Sequence, residues 1–144
     1  MSWVWTSWQF WALFAALFAA MTAILAKVGV TDVDPDLATL LRTIVVALAL
    51  GVLVIATGKA RGAGEISVTS AVFLILSGLA TGASWLCYFR ALKLGDASRV
   101  APIDKLSVVF VAILGAVLLG EQLSLGAWAG IALIGVGAVM VAVF

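Results

Sequence analysis

The sequence predicts an all-α integral membrane protein with five transmembrane helices, and three observations lead there. Five apolar runs, at about 8–29, 37–57, 68–89, 98–119 and 123–143, fill almost all of the 144 residues. Each is long enough to cross a bilayer, because a helix rises ~1.5 Å per residue and about 20 residues span a hydrocarbon core ~30 Å thick. The chain is also 65% hydrophobic and only 10% charged, whereas a soluble domain carries about a quarter charged residues. The links at 30–36, 58–67 and 120–122, with a bend around 93–97, are too short for a separate domain. Residues 1–144 therefore read as a single five-helix domain. An odd number of crossings puts the termini on opposite sides of the membrane and makes the chain look like half of an assembly.

The first run reads as a retained helix rather than a signal peptide. Nothing basic precedes it, and it exceeds the ~7–15 apolar residues of a signal core. Trp3, Trp5, Trp8 and Trp11 are expected as an aromatic belt at one membrane interface. At helical spacing Ala12, Ala15, Ala16, Ala19, Ala23 and Ala26 share one face, with Phe10, Phe14, Phe18, Met21 and Leu25 opposite. Small faces allow close helix approach in lipid, so the alanine side is expected to pack inward.

The second run carries Arg42 about five residues inside its start. A charge at a helix centre costs ~2.5–3.5 kcal/mol on insertion scales, unless a long stem carries it to a headgroup layer ~8–10 Å away. In the third run Ser77, Thr81, Ser84 and Tyr88 form a polar stripe, flanked by Trp85 and by the small pair Gly78 and Gly82. Two readings stand. The hydroxyls bond back to carbonyls one turn earlier, or the stripe lines a hydrated cavity, which the aromatic surface of Trp85 and Tyr88 favours. Arg90, near the end of this run and away from the stripe, reads as an interface anchor.

The fourth run contains Asp104 and Lys105. Pro102 suits the first turn of a helix, and Asp104 would then meet the unpaired N–H groups and positive dipole end of a helix start. Against that structural role, both charges share a side with Val108, Ala112, Gly115 and Ala116, while Leu106, Phe110, Ile113 and Val117 lie opposite. Charges turned toward a bundle interior are candidates for substrate or ion binding. Neighbouring residues on a helix face one another poorly, so Asp104 is expected to pair with a basic group from another helix, with Arg42 the first candidate. In the fifth run Gly126, Gly130 and Gly137 share a face suited to helix packing or a dimer interface. Glu121, in the turn before it, is expected to cap that helix.

Much chemistry is poorly supplied. Cys87 is the only cysteine and there is no histidine, which leaves no disulfide, no cysteine-based metal cluster and no nucleophile–base pair. No metal, no cofactor and no enzymatic activity are expected. A net charge of +1 with scattered basic residues gives no nucleic-acid footprint.

Three stretches carry a resemblance: Tyr88-Phe89-Arg90-Ala91-Leu92-Lys93-Leu94-Gly95-Asp96-Ala97-Ser98, Leu118-Leu119-Gly120-Glu121-Gln122-Leu123-Ser124, and Trp128-Ala129-Gly130-Ile131-Ala132-Leu133-Ile134. Together with the five-helix count, they resemble the EamA-type domain of the drug/metabolite transporter superfamily over essentially the whole chain. Most members carry two such repeats inserted with opposite topology, so this chain is similar to the short, single-repeat members. The resemblance implies a multi-pass cell (inner) membrane protein that carries small metabolites, with a cavity lined mainly by the first, third and fourth helices. That points to Ser77, Thr81, Ser84, Trp85, Tyr88, Asp104 and Lys105. Many members have proline about where Lys105-Leu106-Ser107 stands, and this departure removes the usual substrate specificity from what can be carried over.

A single repeat recovers two-fold alternation only by pairing with an inverted partner, and a homodimer, antiparallel in its simplest form, is the expected assembly. Charge counts lean toward one orientation. Lys59 and Arg61 lie on the N-terminal side, against Lys27, Arg90, Lys93 and Arg99 on the other, joined by Arg42 and Lys105 if they snorkel. That places the N-terminus outside and the C-terminus in the cytoplasm. The expected function is secondary transport without ATP, since no nucleotide-binding motif is present. The alternative is a non-transporting scaffold or an accessory subunit of a larger complex.

Overall fold

The computed structural model describes residues 7–144, and every regular element among them is helical. These are α1 (Trp8–Gly29), α2 (Pro35–Ala56), a 3-10 segment (Lys59–Glu65), α3 (Val68–Leu94), α4 (Ala97–Asp104), α5 (Ser107–Leu118) and α6 (Leu125–Val143). With α4 and α5 taken as one stretch, five spans are long and apolar enough to cross a membrane. Trp3 and Trp5 lie outside the described residues.

Caps rather than hydropathy set the helix limits. α2 begins at Pro35, two residues before the apolar run, because the Asp34 carboxylate accepts from the N–H groups of Asp36 (2.9 Å) and Leu37 (3.1 Å). Proline suits this first helical position, where its missing N–H has no partner to lose. α2 ends at Ala56 with Thr57 as its cap, and Gly58 follows with a φ of 70°, the left-handed conformation that closes helices and that glycine adopts without a Cβ penalty. α6 is capped by Ser124, whose hydroxyl accepts from the Ala127 N–H at 3.2 Å. The cap expected of Glu121 is therefore supplied by Ser124. The Glu121 side chain instead folds back on α5, where a Cβ on Gly115 would meet its Oε2 at 2.7 Å.

The fourth span is the main departure from an unbroken helix. α4 stops at Asp104 and α5 begins at Ser107. Between them the Lys105 N–H is shared by the carbonyls of Ala101 (3.2 Å) and Pro102 (3.0 Å), and the Leu106 N–H bonds to Ile103 at 3.0 Å. The Val108 and Val109 N–H groups likewise reach three residues back. This is a 3-10 turn set into an α-helical span. Pro102 lies inside α4 and well past its first turn, so neither it nor Asp104 marks a helix start. Having no N–H, it removes an α-helical bond just ahead of the turn.

Packing divides the chain into two compact units. In Val28–Lys93, the buried residues Val30, Thr39, Phe89 and Leu92 form a small core. Buried Thr39 bonds back to the Pro35 carbonyl at 2.8 Å. The other unit comprises Met1–Lys27 and Leu94–Phe144. There α4 and α5 pack on α6, with Ala112, Gly115 and Ala138 buried. The Lys27 ammonium donates to the Gly95 carbonyl at 2.9 Å. Ala23 and Ala26 are buried as expected of the alanine face, while Ala12, Ala15, Ala16 and Ala19 are exposed because no described element covers the first half of α1.

Candidate functional site

Two polar centres lie within the spans, one in each unit. The first joins α2 to α3. Asp36 meets Arg90 and Arg42 meets Trp85, so moving inward on α2 matches moving backward on α3, the register of an antiparallel pair. At its outer edge Arg90 grips Asp36 with two parallel bonds, Nε to Oδ1 at 3.0 Å and Nη2 to Oδ2 at 2.7 Å. Arg90, expected as an interface anchor, is a fork that ties α3 to the start of α2. Lys93, one turn on, donates to the carbonyls of Val30, Thr31 and Val33. Together these two cations explain why α3 continues to Leu94 instead of ending near Phe89.

Further in, the Arg42 guanidinium lies over the Trp85 ring, 3.7 Å from its centroid, with Phe89 at 5.6 Å. Arg42 stands about 10 Å along α2 from Pro35, and Trp85 about 13 Å along α3 from Leu94. The charge therefore stays at the depth of Trp85 instead of snorkelling to the level of Arg90. Stacking on aromatic faces is worth ~0.5–2 kcal/mol, against ~2.5–3.5 kcal/mol for a cation at a helix centre. The aromatics thus offset only part of the cost of keeping the guanidinium there.

The α3 stripe is mixed. The Thr81 hydroxyl donates to the Ser77 carbonyl at 2.9 Å, the back-bonded state that needs no cavity. Ser77, Thr81 and Ser84 are exposed in the chain, while Trp85 and Tyr88 are half-buried on the side toward Arg42 and Phe89. A Cβ on Gly78 or Gly82 would meet nothing within 4 Å.

The second centre is the interruption of the fourth span. Asp104 closes α4, and its Oδ2 accepts from the Lys105 ammonium at 2.9 Å. The expectation that Asp104 draws a partner from another helix is corrected here. The ideal-helix spacing that keeps neighbours apart does not hold at a 3-10 turn, where Lys105 takes φ −70° and ψ −7°. The turn therefore lets two adjacent side chains converge. Arg42, the candidate partner, is engaged by Trp85.

On α6 the close approach falls on a glycine outside the expected small-residue face. A Cβ on Gly135 would lie 3.3 Å from Val109 Cγ2 of α5, whereas one on Gly130 or Gly137 would meet nothing within 4 Å, and one on Gly126 only Ser124 Oγ at 3.9 Å. Gly126, Gly130 and Gly137 thus have room for a Cβ beside the described residues. Small size beside a β-branched residue one helix away was the only sequence signal for Gly135, and it needs the α5–α6 register to be read.

Comparison with known proteins agrees with a membrane role. The sequence profile of the EamA-like transporter family matches residues 6–143. A Sinorhizobium sp. protein described as an uncharacterized transporter in the cobO 3′ region is 59% identical over 138 residues, which cover 96% of this chain and 98% of that one. No solved structure matches.

Proposed function

The chain belongs to the EamA-like transporter family and is a multi-pass membrane transporter, and from that premise we propose a secondary transporter of small metabolites that works by alternating access as a dimer of five-helix repeats. The observation that carries this reading is the interrupted fourth span with Asp104 and Lys105 at its break. Broken helices are a recurring way for transporters to place polar groups at mid-membrane, because the ends of the pieces present backbone and side-chain charge to a substrate. A short 3-10 turn also bends more readily than a continuous α-helix. It is a natural place for the span to change shape as the site opens to one side and then the other.

Dimerisation rests on two supports. Five crossings supply one repeat of the inverted pair that alternating access uses. A Cβ at Gly130 or Gly137 would meet no described residue within 4 Å, which leaves room for a close helix from a second copy. The basic residues favour a cytoplasmic C-terminus, and reporter fusions at that end decide between one orientation and two. A single orientation removes the self-antiparallel dimer.

The direct test is reconstitution into phosphatidylethanolamine–phosphatidylglycerol vesicles and counterflow of labelled amino acids, carboxylates and quaternary amines. At least one compound is expected to exchange. Asp104→Asn and Lys105→Gln are expected to abolish that exchange while the proteins remain folded. Intact flux in both variants rejects the site at the break, and absence of flux for every class favours the scaffold.

A further inference from the structure

We propose that Arg42, held on the faces of Trp85 and Phe89, is the binding point for a carboxylate, and that the transported compounds are organic monocarboxylates or carry a carboxylate group. This rests on the transport reading above and deepens it by naming a substrate class.

Within the Val28–Lys93 unit several charges are already engaged. Arg90 is committed to Asp36 through two bonds. Lys93 is committed to three loop carbonyls. Asp34 is spent on the N-terminus of α2. Lys59 and Arg61 sit in the 3-10 segment beyond the other end of α2. Arg42 differs from all of them. Among the described residues it meets the Trp85 and Phe89 rings and lies near the phenol group of Tyr88, and it forms no ion pair with a carboxylate of its own unit. A cation kept inside a span without a counter-ion is expensive, and such groups mark ligand sites by default.

Geometry then selects the ligand. A ring stacked on the flat face of a guanidinium leaves the in-plane N–H donors free at its edge. Those donors form a fork that matches the two oxygens of a carboxylate. The Trp85 and Phe89 rings, 3.7 and 5.6 Å from the guanidinium carbon, restrain the group in advance, which lowers the ordering cost of binding. The aromatic rack also provides apolar surface beside the charge, suited to the carbon skeleton of an organic acid. The site offers one positive charge, with the neighbouring cations committed elsewhere. A monoanion therefore suits it better than a doubly charged phosphate. The same fork would also hold the phosphate of a lipid headgroup, so the experiment separates the two sources.

Purified protein in lipid-free detergent is heated while tryptophan emission reports unfolding. Sodium acetate, benzoate and glutamate are titrated in turn, with tetraethylammonium chloride, inorganic phosphate and phosphatidylglycerol as comparison arms. The expected result is a saturable rise in Tm with at least one carboxylate. Its apparent Kd weakens about tenfold or more in Arg42→Lys, which keeps the charge but loses the fork, and the shift vanishes in Arg42→Gln. Trp85→Leu, with the guanidinium retained, is expected to weaken binding also, and covers the case in which Arg42→Gln fails to fold. The proposal is overturned if no carboxylate shifts Tm, or if the shift survives Arg42→Gln at unchanged affinity. It is equally overturned if phosphate or phosphatidylglycerol alone binds in an Arg42-dependent way. Vesicle flux of an amine that is indifferent to Arg42→Gln would defeat this inference while leaving the transporter reading intact. Arg42-dependent carboxylate binding without flux of any compound would do the reverse.

Discussion

Replacing Lys93 by methionine is expected to loosen the link between α1 and α2 without unfolding the protein. The Lys93 ammonium donates to the carbonyls of Val30 at 2.9 Å, Thr31 at 2.5 Å and Val33 at 3.2 Å, just after α1 ends. Helix C-termini leave carbonyls without intrahelical donors, and a cation placed there answers both the bonds and the dipole. A sheltered bond to a charged donor is worth ~1.5–3 kcal/mol. Lys93 is exposed, however, and its three bonds share one ammonium, so the set contributes about 1–2 kcal/mol. That corresponds to about a 5–30-fold change in the local opening equilibrium. Amide hydrogen exchange over residues 30–36 in detergent measures this directly, and Lys93→Met should accelerate it by that factor. Lys93 is also one of the basic residues on the side expected to face the cytoplasm. Lys93→Arg preserves that charge while replacing a point donor with a planar fork that cannot meet all three carbonyls equally. It should show an intermediate acceleration with unchanged orientation. Exchange in Lys93→Met within twofold of the parent protein would refute the reasoning.

Other consequences are independent of that one. Gly58 has a φ of 70°, so Gly58→Ala should destabilise by about 1 kcal/mol in denaturant titrations, the penalty for a Cβ in the left-handed region; an unchanged midpoint would contradict the cap. Asp34→Ala removes a carboxylate that accepts two N–H bonds and should cost about 1 kcal/mol, read from the same titration. Gly137→Ile should leave the fold intact, since a Cβ there meets nothing within 4 Å, yet weaken self-association measured by light scattering in detergent. A dimer unaffected by Gly137→Ile removes that face from the interface. Gly135→Ile, whose Cβ would already crowd Val109 at 3.3 Å, should instead lower monomer stability.

The existence of the spans was legible because run length and composition alone decide whether a segment can cross a bilayer. Their limits were less so. The apolar run of the second span begins after Asp34-Pro35, but the cap and the proline extend the helix outward by two residues. The third span runs past Arg90 and Lys93 because each has a partner at the helix end, and those partners are distant in sequence. The break at Lys105 and Leu106 was hidden for two reasons. Apolar composition continues straight across it, and Pro102 mimics a helix-start signal although it stands inside α4. Arg42 and Trp85 each stood out in the sequence, but only the α2–α3 register brings them together. Phe89 gave no signal of its own, since nothing in its type or spacing set it apart from other apolar residues.

Which polar residue in a membrane span carries function depends on what already satisfies it. Thr39, Thr43 and Thr81 donate to carbonyls one turn back on their own helices, so hydroxyl spacing alone overstates a cavity wall. Arg90 and Asp36 neutralise each other, and so do Asp104 and Lys105, but the two pairs differ in what the backbone does beneath them. The first joins two continuous helices and acts as a tie. The second sits on a 3-10 turn that interrupts the α-helical bonding of its span. Arg42 stands apart from both, because aromatic faces hold it in place without neutralising it.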